Sequence, residues 1–352
     1  MAKRTRISEP DESDRIEGFP HPREASHLIG QDVALSRAAR AIRGGKPPQG
    51  WLISGPPGIG KATFAYRIAR YLLTYGARDA GAEDLSVPAN DPNTLQVTAG
   101  SHPGLMILKR GINEKTGKLM TELPVSEVRR LAGFFGMTSG AGGWRVAIVD
   151  TADDMNTNAA NALLKLLEEP PSRAMLILLA NRPGQLLPTI RSRCQRLDLR
   201  PLDEATVADA LKAYLPEADA NERNSLARLS GGSIGAALTL ASGEGGELAA
   251  EADRLIENAA NPDTIALLAL GDRLWRMKDG VARFGDFLIE ALAARIRAKA
   301  RISGSHLDRW TALLARLEDN FARTRGLNLE PRQTILSAAR DMAATARRAE
   351  PL

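Results

Sequence analysis

Gly55 to Thr63, GPPGIGKAT, brings together residue types that bind phosphate: three glycines, a lysine and a hydroxyl. Gly55, Gly58 and Gly60 let the backbone take turns closed to other residues, so that successive N–H groups point into one cradle. Lys61 adds a mobile point charge, and a helix beginning there adds the positive end of its dipole. The spacing G-x-x-x-x-G-K-[ST] fails only at its last position, where Ala62 replaces the hydroxyl that would ligate magnesium. Thr63 comes one residue late, about 100° further round a helix, and cannot simply substitute. These residues describe a nucleotide-binding shape that lacks one metal ligand; the alternative is a glycine-rich strand-to-helix turn without ligand.

Other candidates lie downstream. Asp150 ends the apolar run WRVAIVD, Trp144 to Asp150, and a carboxylate there is what a second magnesium-site element requires beside a phosphate loop; Asp at a strand end can equally be the N-cap of the next element. A hydrolytic site would place another carboxylate next to it, but the next residue is Thr151, and Asp153 and Asp154 read as caps of a following helix. Asn181 ends the apolar run Met175 to Ala180, where strand tips of a parallel sheet meet ligands; it could also be a turn residue. In LLPTIRSRC, Arg191 and Arg193 stand two apart and share one side if the segment is extended, or are plain surface charges.

Elements that would position these groups can be read from periodicity. Trp51 to Ile53, Leu105 to Leu108, Trp144 to Asp150 and Met175 to Ala180 read as strands apolar on both faces, which predicts a parallel sheet covered by helices up to about Pro201. Helical patterns fall at Asp32 to Ile42, from the phosphate loop to Leu73, at Val125 to Phe135 and at Met155 to Glu168. In the last of these, Ala159, Leu163, Leu166 and Leu167 form the stripe expected to be buried, with Asn158, Asn161 and Lys165 elsewhere. Gly76 to Pro103 is polar, proline-dotted and aperiodic, and is read as a surface excursion; Lys109 to Lys118 is charged and turn-rich. From Leu202 to Leu240 only helical signals occur, with LSGGSIGAAL as turn then helix. Ser242 to Gly246 reads as a glycine hinge, and helix succeeds helix to the end.

Composition narrows the class. A chain of 352 residues suits two or three domains with a substantial core. The single cysteine, Cys194, excludes an internal disulfide and a cysteine-based zinc cluster. The opening MAKRTRISEPDESDR carries no apolar run of a signal peptide, and no stretch approaches the roughly 18 apolar residues of a membrane span. A cytoplasmic protein with a disordered tail over residues 1–25 is expected. A net charge of +5 permits contact with phosphate backbones and is also ordinary for a solvated surface.

With the phosphate loop, WRVAIVD, NALLKLLEEPP and IRSRC in this order, the chain resembles bacterial clamp-loader subunits of the AAA+ class. The resemblance implies an α/β core with a five-stranded parallel sheet over residues 26–201, a small helical lid over 202–241, and an all-helical collar over 247–352 that joins subunits into a ring. In that family the arginine of SRC, here Arg193, reaches the ATP of a neighbouring subunit. The motor subunits (gamma/tau) carry a hydroxyl ligand, a carboxylate base and a lid arginine, where this chain has Ala62, Thr151 and Gly235. The resemblance therefore implies a subunit that donates Arg193 without running its own ATPase, with gamma/tau and delta subunits, a sliding clamp and primed DNA as partners. The alternative is an ATP-hydrolysing motor in which Thr63 and Asp153 stand in. The degenerate nucleotide site would comprise Gly55, Gly58, Gly60, Lys61, Ala62, Thr63, Asp150 and Asn181, with ATP bound weakly at best. The excursion lacks the four cysteines that often bind zinc in the family, so no zinc is expected. The apolar stripe Phe287, Leu288, Leu292 and Ile296 is expected to serve assembly and, over most of its area, the collar's own core.

Overall fold

The computed structural model describes residues 15–348 apart from 17, 26, 112–119, 121, 137–142, 243, 278–279, 303–306 and 328–329. Most of the expected tail and most of the charged segment after Lys109 therefore lie outside the described residues. The chain divides into two compact units, 1–216 with 232–236, and 217–231 with 237–352.

The first unit is built on a five-stranded sheet. Its strands are β1 (Gly50–Ser54), β2 (Leu105–Leu108), β3 (Arg145–Asp150), β4 (Ala174–Ala180) and β5 (Gln195–Asp198), in the order β2-β3-β4-β1-β5. All pairings are parallel, because every connection returns through helix. β1 and β4 are buried along their whole length, which is why they read as unbroken apolar runs. Alternate residues serve the two faces. Trp51, Ile53, Ile148, Ile177 and Leu179 pack with α1 (Asp32–Arg43) and α2 (Lys61–Tyr75). On the other face, Leu52, Ala147, Val149, Leu176 and Leu178 pack with residues of α4 (Val125–Gly136), α5 (Thr157–Glu168) and α6 (Pro188–Arg193). The five-stranded parallel sheet expected from the resemblance is present.

Three readings are corrected within this unit. Gly76 to Pro103 is no plain surface excursion: it contains α3 (Pro92–Thr98), capped by the Asp91 carboxylate, and buries Leu85 and Val97 completely. The LLPTIRSRC segment is helical where an extended segment was considered, so Arg191 and Arg193, two apart, point to different sides of α6. Residues 153 and 154 do not cap α5; Asn156 does, accepting from the Ala159 N–H at 2.9 Å. At the other end of the unit, His21 and Arg23 are buried, and Arg70 of α2 donates to the carbonyls of Arg23 at 3.1 Å and Ala25 at 2.7 Å. The described end of the expected tail is thus packed. This unit also contains α7 (Glu204–Tyr214).

The second unit is helical, with α8 (Ala220–Leu229), α10 (Glu244–Glu257), α11 (Thr264–Arg276), α12 (Gly280–Ile302), α13 (Asp308–Leu327) and α14 (Pro331–Ala346). α9 (Ile234–Ala241) begins in the first unit's share of the sequence and ends in the second's. Leu288, Leu292 and Ile296 are buried and Phe287 partly so, in a core with Phe284, Leu313, Leu317, Phe321, Ile335 and Met342. The stripe therefore closes the unit's own interior. Gly245 and Gly246 lie inside α10, so the hinge read at Ser242 to Gly246 is replaced by the start of a helix whose Leu248, Ala252, Leu255 and Ile256 hold it to the core. Among the described residues no helix is long and apolar enough to cross a membrane.

Candidate functional site

The phosphate loop leaves β1 at the carboxyl edge of the sheet, where β3 ends in Asp150 and β4 in Ala180. Register places Ser54 opposite Ala180 and Asp150 opposite Leu179. The loop N–H of Gly55 is fastened to the Ala180 carbonyl at 3.2 Å. Gly58 has φ +71° and Gly60, the residue before α2, φ +102°, backbone that only glycine takes without strain. Gly55, Gly58, Gly60, Lys61, Ala62, Thr63, Asp150 and Asn181 thus share one edge of the sheet and one loop.

Lys61 is buried, and its ammonium donates to the carbonyls of Gly55 at 2.8 Å and Pro56 at 2.7 Å. Burial pushes its pKa down to about 8, against the opposing pull of Asp150 and Asp153. The lysine is folded onto its own loop. Asp153 does not face the loop as a free base. Its carboxylate accepts the backbone N–H of Asn181 at 3.1 Å and of Arg182 at 3.1 Å, tying the segment after β3 to the end of β4. Asp154 accepts from the Thr151 hydroxyl at 2.6 Å and pairs with Arg110 at 2.9 Å. Across the same edge the Ser54 hydroxyl bonds the Asp198 carboxylate, a contact the sequence did not suggest because the two residues stand far apart in it.

Residues 233–236 close over the loop. Ser233 donates its hydroxyl to the Pro57 carbonyl at 3.0 Å while the same oxygen accepts the Ala236 N–H at 3.1 Å, capping α9. The Gly235 N–H donates to the Gly58 carbonyl at 3.0 Å. A Cβ on Gly235 would lie 2.6 Å from the Gly58 Cα, so the approach of the two backbones requires glycine. Where a lid arginine was missed in the sequence, the structure has main chain lying directly on the phosphate loop. With the magnesium hydroxyl replaced by Ala62, Lys61 turned inward and main chain on Gly58, these residues do not fit a tightly held magnesium nucleotide. Among the described residues no three or more of His, Cys, Asp and Glu gather to hold a metal ion.

Arg193 occupies the last turn of α6 and is exposed. Its Nη1 donates to the Thr189 carbonyl at 3.3 Å, and Nη2 lies 2.8 Å from the Glu168 carboxylate at the end of α5. The joint beneath is tight: a Cβ on Gly50 would meet Leu167 Cδ2 at 2.7 Å and both the Arg193 carbonyl and Cys194 Sγ at 3.4 Å. NALLKLLEEPP and SRC are therefore two sides of one contact. Arg191 differs, since its Nε is buried without a hydrogen-bond partner; it is not the plain surface charge considered from the sequence. Away from this edge, an open groove of about 530 Å³ lies between the start of β2 and α4, lined by His102, Leu105, Met106, Arg130 and Phe134.

Residues 30–203 match the protein family described as DNA polymerase III, delta subunit. The DNA polymerase III subunit delta' of Pseudomonas aeruginosa is 38% identical over 184 residues, 52% of this chain and 52% of that protein. The subunit of the same name from Escherichia coli is 32% identical over 213 residues, 60% of this chain and 59% of that protein. The Escherichia coli DNA polymerase III subunit tau is 25% identical over 315 residues, 88% of this chain and 45% of that protein. The chain spans about half the length of the curated relatives it matches, 52%, 45% and 59%.

Proposed function

We propose that this chain, whose residues 30–203 match the family described as DNA polymerase III, delta subunit, is a delta-prime-like subunit of the DNA polymerase III clamp loader. In this reading it is a largely non-hydrolysing stator in the cytoplasm. It offers Arg193 to the ATP of a neighbouring gamma/tau subunit and, with delta, helps place the sliding clamp on primed DNA. The division into core (26–201), lid (202–241) and collar (247–352), with the collar carrying assembly, is part of the same proposal.

The observation that carries it is the main chain of residues 233–236 lying on the phosphate loop, with Gly235 bonded to Gly58. A site closed by its own backbone and lacking the magnesium hydroxyl is poorly suited to turnover, whereas an exposed arginine at a helix end is suited to act on another subunit. The motor reading would enlist Asp153, but that carboxylate is already engaged by the N–H groups of Asn181 and Arg182. Thr63 remains the wrong residue, about 100° round the helix from the position required.

Two measurements test the proposal. The isolated chain should bind ATP weakly at best, with little dependence on magnesium, and show negligible hydrolysis; turnover of about 1 per second or more would sink it. In the reconstituted complex, Arg193→Ala should lower ATPase. An arginine finger is worth about 10³ to 10⁵ at its own site, and the loss over all sites is smaller because the others keep their own fingers. Arg193→Lys should rescue poorly, since the planar fork is lost. Equal turnover in wild-type and Arg193→Ala complexes would refute the finger assignment.

A further inference from the structure

Glu168 stands where a carboxylate is least at home on its own helix, the final residue of α5, facing the negative end of the helix dipole. Pro170 prevents the helix from running on. Arg193 compensates, with its Nη2 2.8 Å from Glu168 Oε1. The pairing is built into the joint below it. Leu167, next to Glu168, and Cys194, next to Arg193, are brought together over Gly50, where a side chain would collide at 2.7 Å. With Nη1 on the Thr189 carbonyl and Nη2 on Glu168, both outer nitrogens of the fork are committed to acceptors of the same chain. A phosphate oxygen approaching that fork would also meet the negative charge of Glu168.

We propose that Glu168 is a positioning residue that parks the Arg193 guanidinium on its own subunit and is displaced when the arginine engages a neighbour's nucleotide. The inference rests on the arginine-finger reading above. The side chains of Arg193 and Glu168 remain 38% and 47% exposed, so the pair is of the exchangeable surface kind, and releasing it costs the engaged state at most about a five-fold factor. The parked form lowers the fraction of arginine competent to engage; removing Glu168 raises it.

The test has two arms. In the full-length chain alone, modification of Arg193 by phenylglyoxal, followed by peptide mass spectrometry, should be up to about five-fold faster in Glu168→Gln than in wild type. In the reconstituted complex, Glu168→Gln should raise kcat/KM for ATP by no more than the same factor. The gap from wild type should narrow as salt screens the pair, and the effect should vanish in the Arg193→Ala background. Glu168→Ala should act in the same direction, and thermal melting shows that each variant is folded. An unchanged modification rate, an unchanged or lowered kcat/KM, or an equal effect of Glu168→Gln with Arg193 absent would overturn the parking role. If Arg193→Ala alone leaves ATPase intact, it is the finger that fails, and the modification arm still reports whether the pair restrains the guanidinium.

Discussion

Gly235→Ala sets two opposed effects against each other, and the larger one destabilises. Gly235 is the second residue of α9, where alanine is the better helix former by up to about 1 kcal/mol. Against this, the new Cβ would lie 2.6 Å from Gly58 Cα, 2.9 Å from its oxygen and 3.2 Å from its carbonyl carbon. All three are backbone atoms of a loop pinned at both ends, so no flexible side chain can yield. Overpacking of this kind costs about 1–3 kcal/mol. If residues 233–236 lift away instead, the bonds from Gly235 to Gly58 and from Ser233 to Pro57, both 3.0 Å, are lost at about 1 kcal/mol each. The clash outweighs propensity by up to about 2 kcal/mol, which for a unit of this size lowers Tm by up to about 8 °C. Gly133→Ala in α4, where a Cβ meets nothing within 4 Å, should instead stabilise by up to about 1 kcal/mol. Thermal unfolding measured by circular dichroism decides between them. A Gly235→Ala protein melting at or above wild type would refute the claim that this glycine is required by contact with the loop.

Lys61 should leave a pH signature, because its folded pKa of about 8 lies below the ordinary 10.5. Below pH 8 the buried charge costs stability, about 3 kcal/mol to order of magnitude. From pH 8 to 10.5 the unfolded chain holds more protons, so stability rises with pH; the rise should be missing in Lys61→Met when both are denatured isothermally across that range. Phe321→Ala removes a fully buried ring packed against Phe284 with centroids 6.4 Å apart, and should cost the helical unit about 3–5 kcal/mol in a denaturant titration. A chain ended at Gly246 would cut α10 in its first turn and discard most of the second unit. We expect it to stay out of the assembled complex on size exclusion, and normal incorporation would remove assembly from the C-terminal helices.

The inner strands were legible in the sequence because they are buried on both faces, and the phosphate loop because its glycines and lysine are consecutive. β5 was not. Its sequence QRLD buries only Leu197, as expected of an edge strand that covers little. α6 escaped for a similar reason, since six residues with Ile190 alone buried carry no period. α3 left a usable signal, Asp91 capping a helix that opens on Pro92, which the polar setting outweighed. The glycines of α10 suggested a hinge, yet Leu248, Ala252, Leu255 and Ile256 held the helix together through packing that a local reading underweights. The site divides in the same way. Loss of a lid arginine at Gly235 could be read, but the seating of that glycine on Gly58 joins residues far apart in sequence, as does the pairing of Glu168 with Arg193.

The joint over Gly50 supplies a native clock. Cys194 is the chain's one thiol; it is buried, and burial pushes its pKa up to about 12. Near neutral pH the reactive thiolate is scarce, and the side chain is only 8% exposed beside Leu167 and Gly50. Alkylation of the unmodified protein should therefore be slow, and should speed up when β1, the end of α5 and the end of α6 separate. These are the same three chain segments that hold Arg193 in place, so the labelling rate reports how often the arginine's footing gives way.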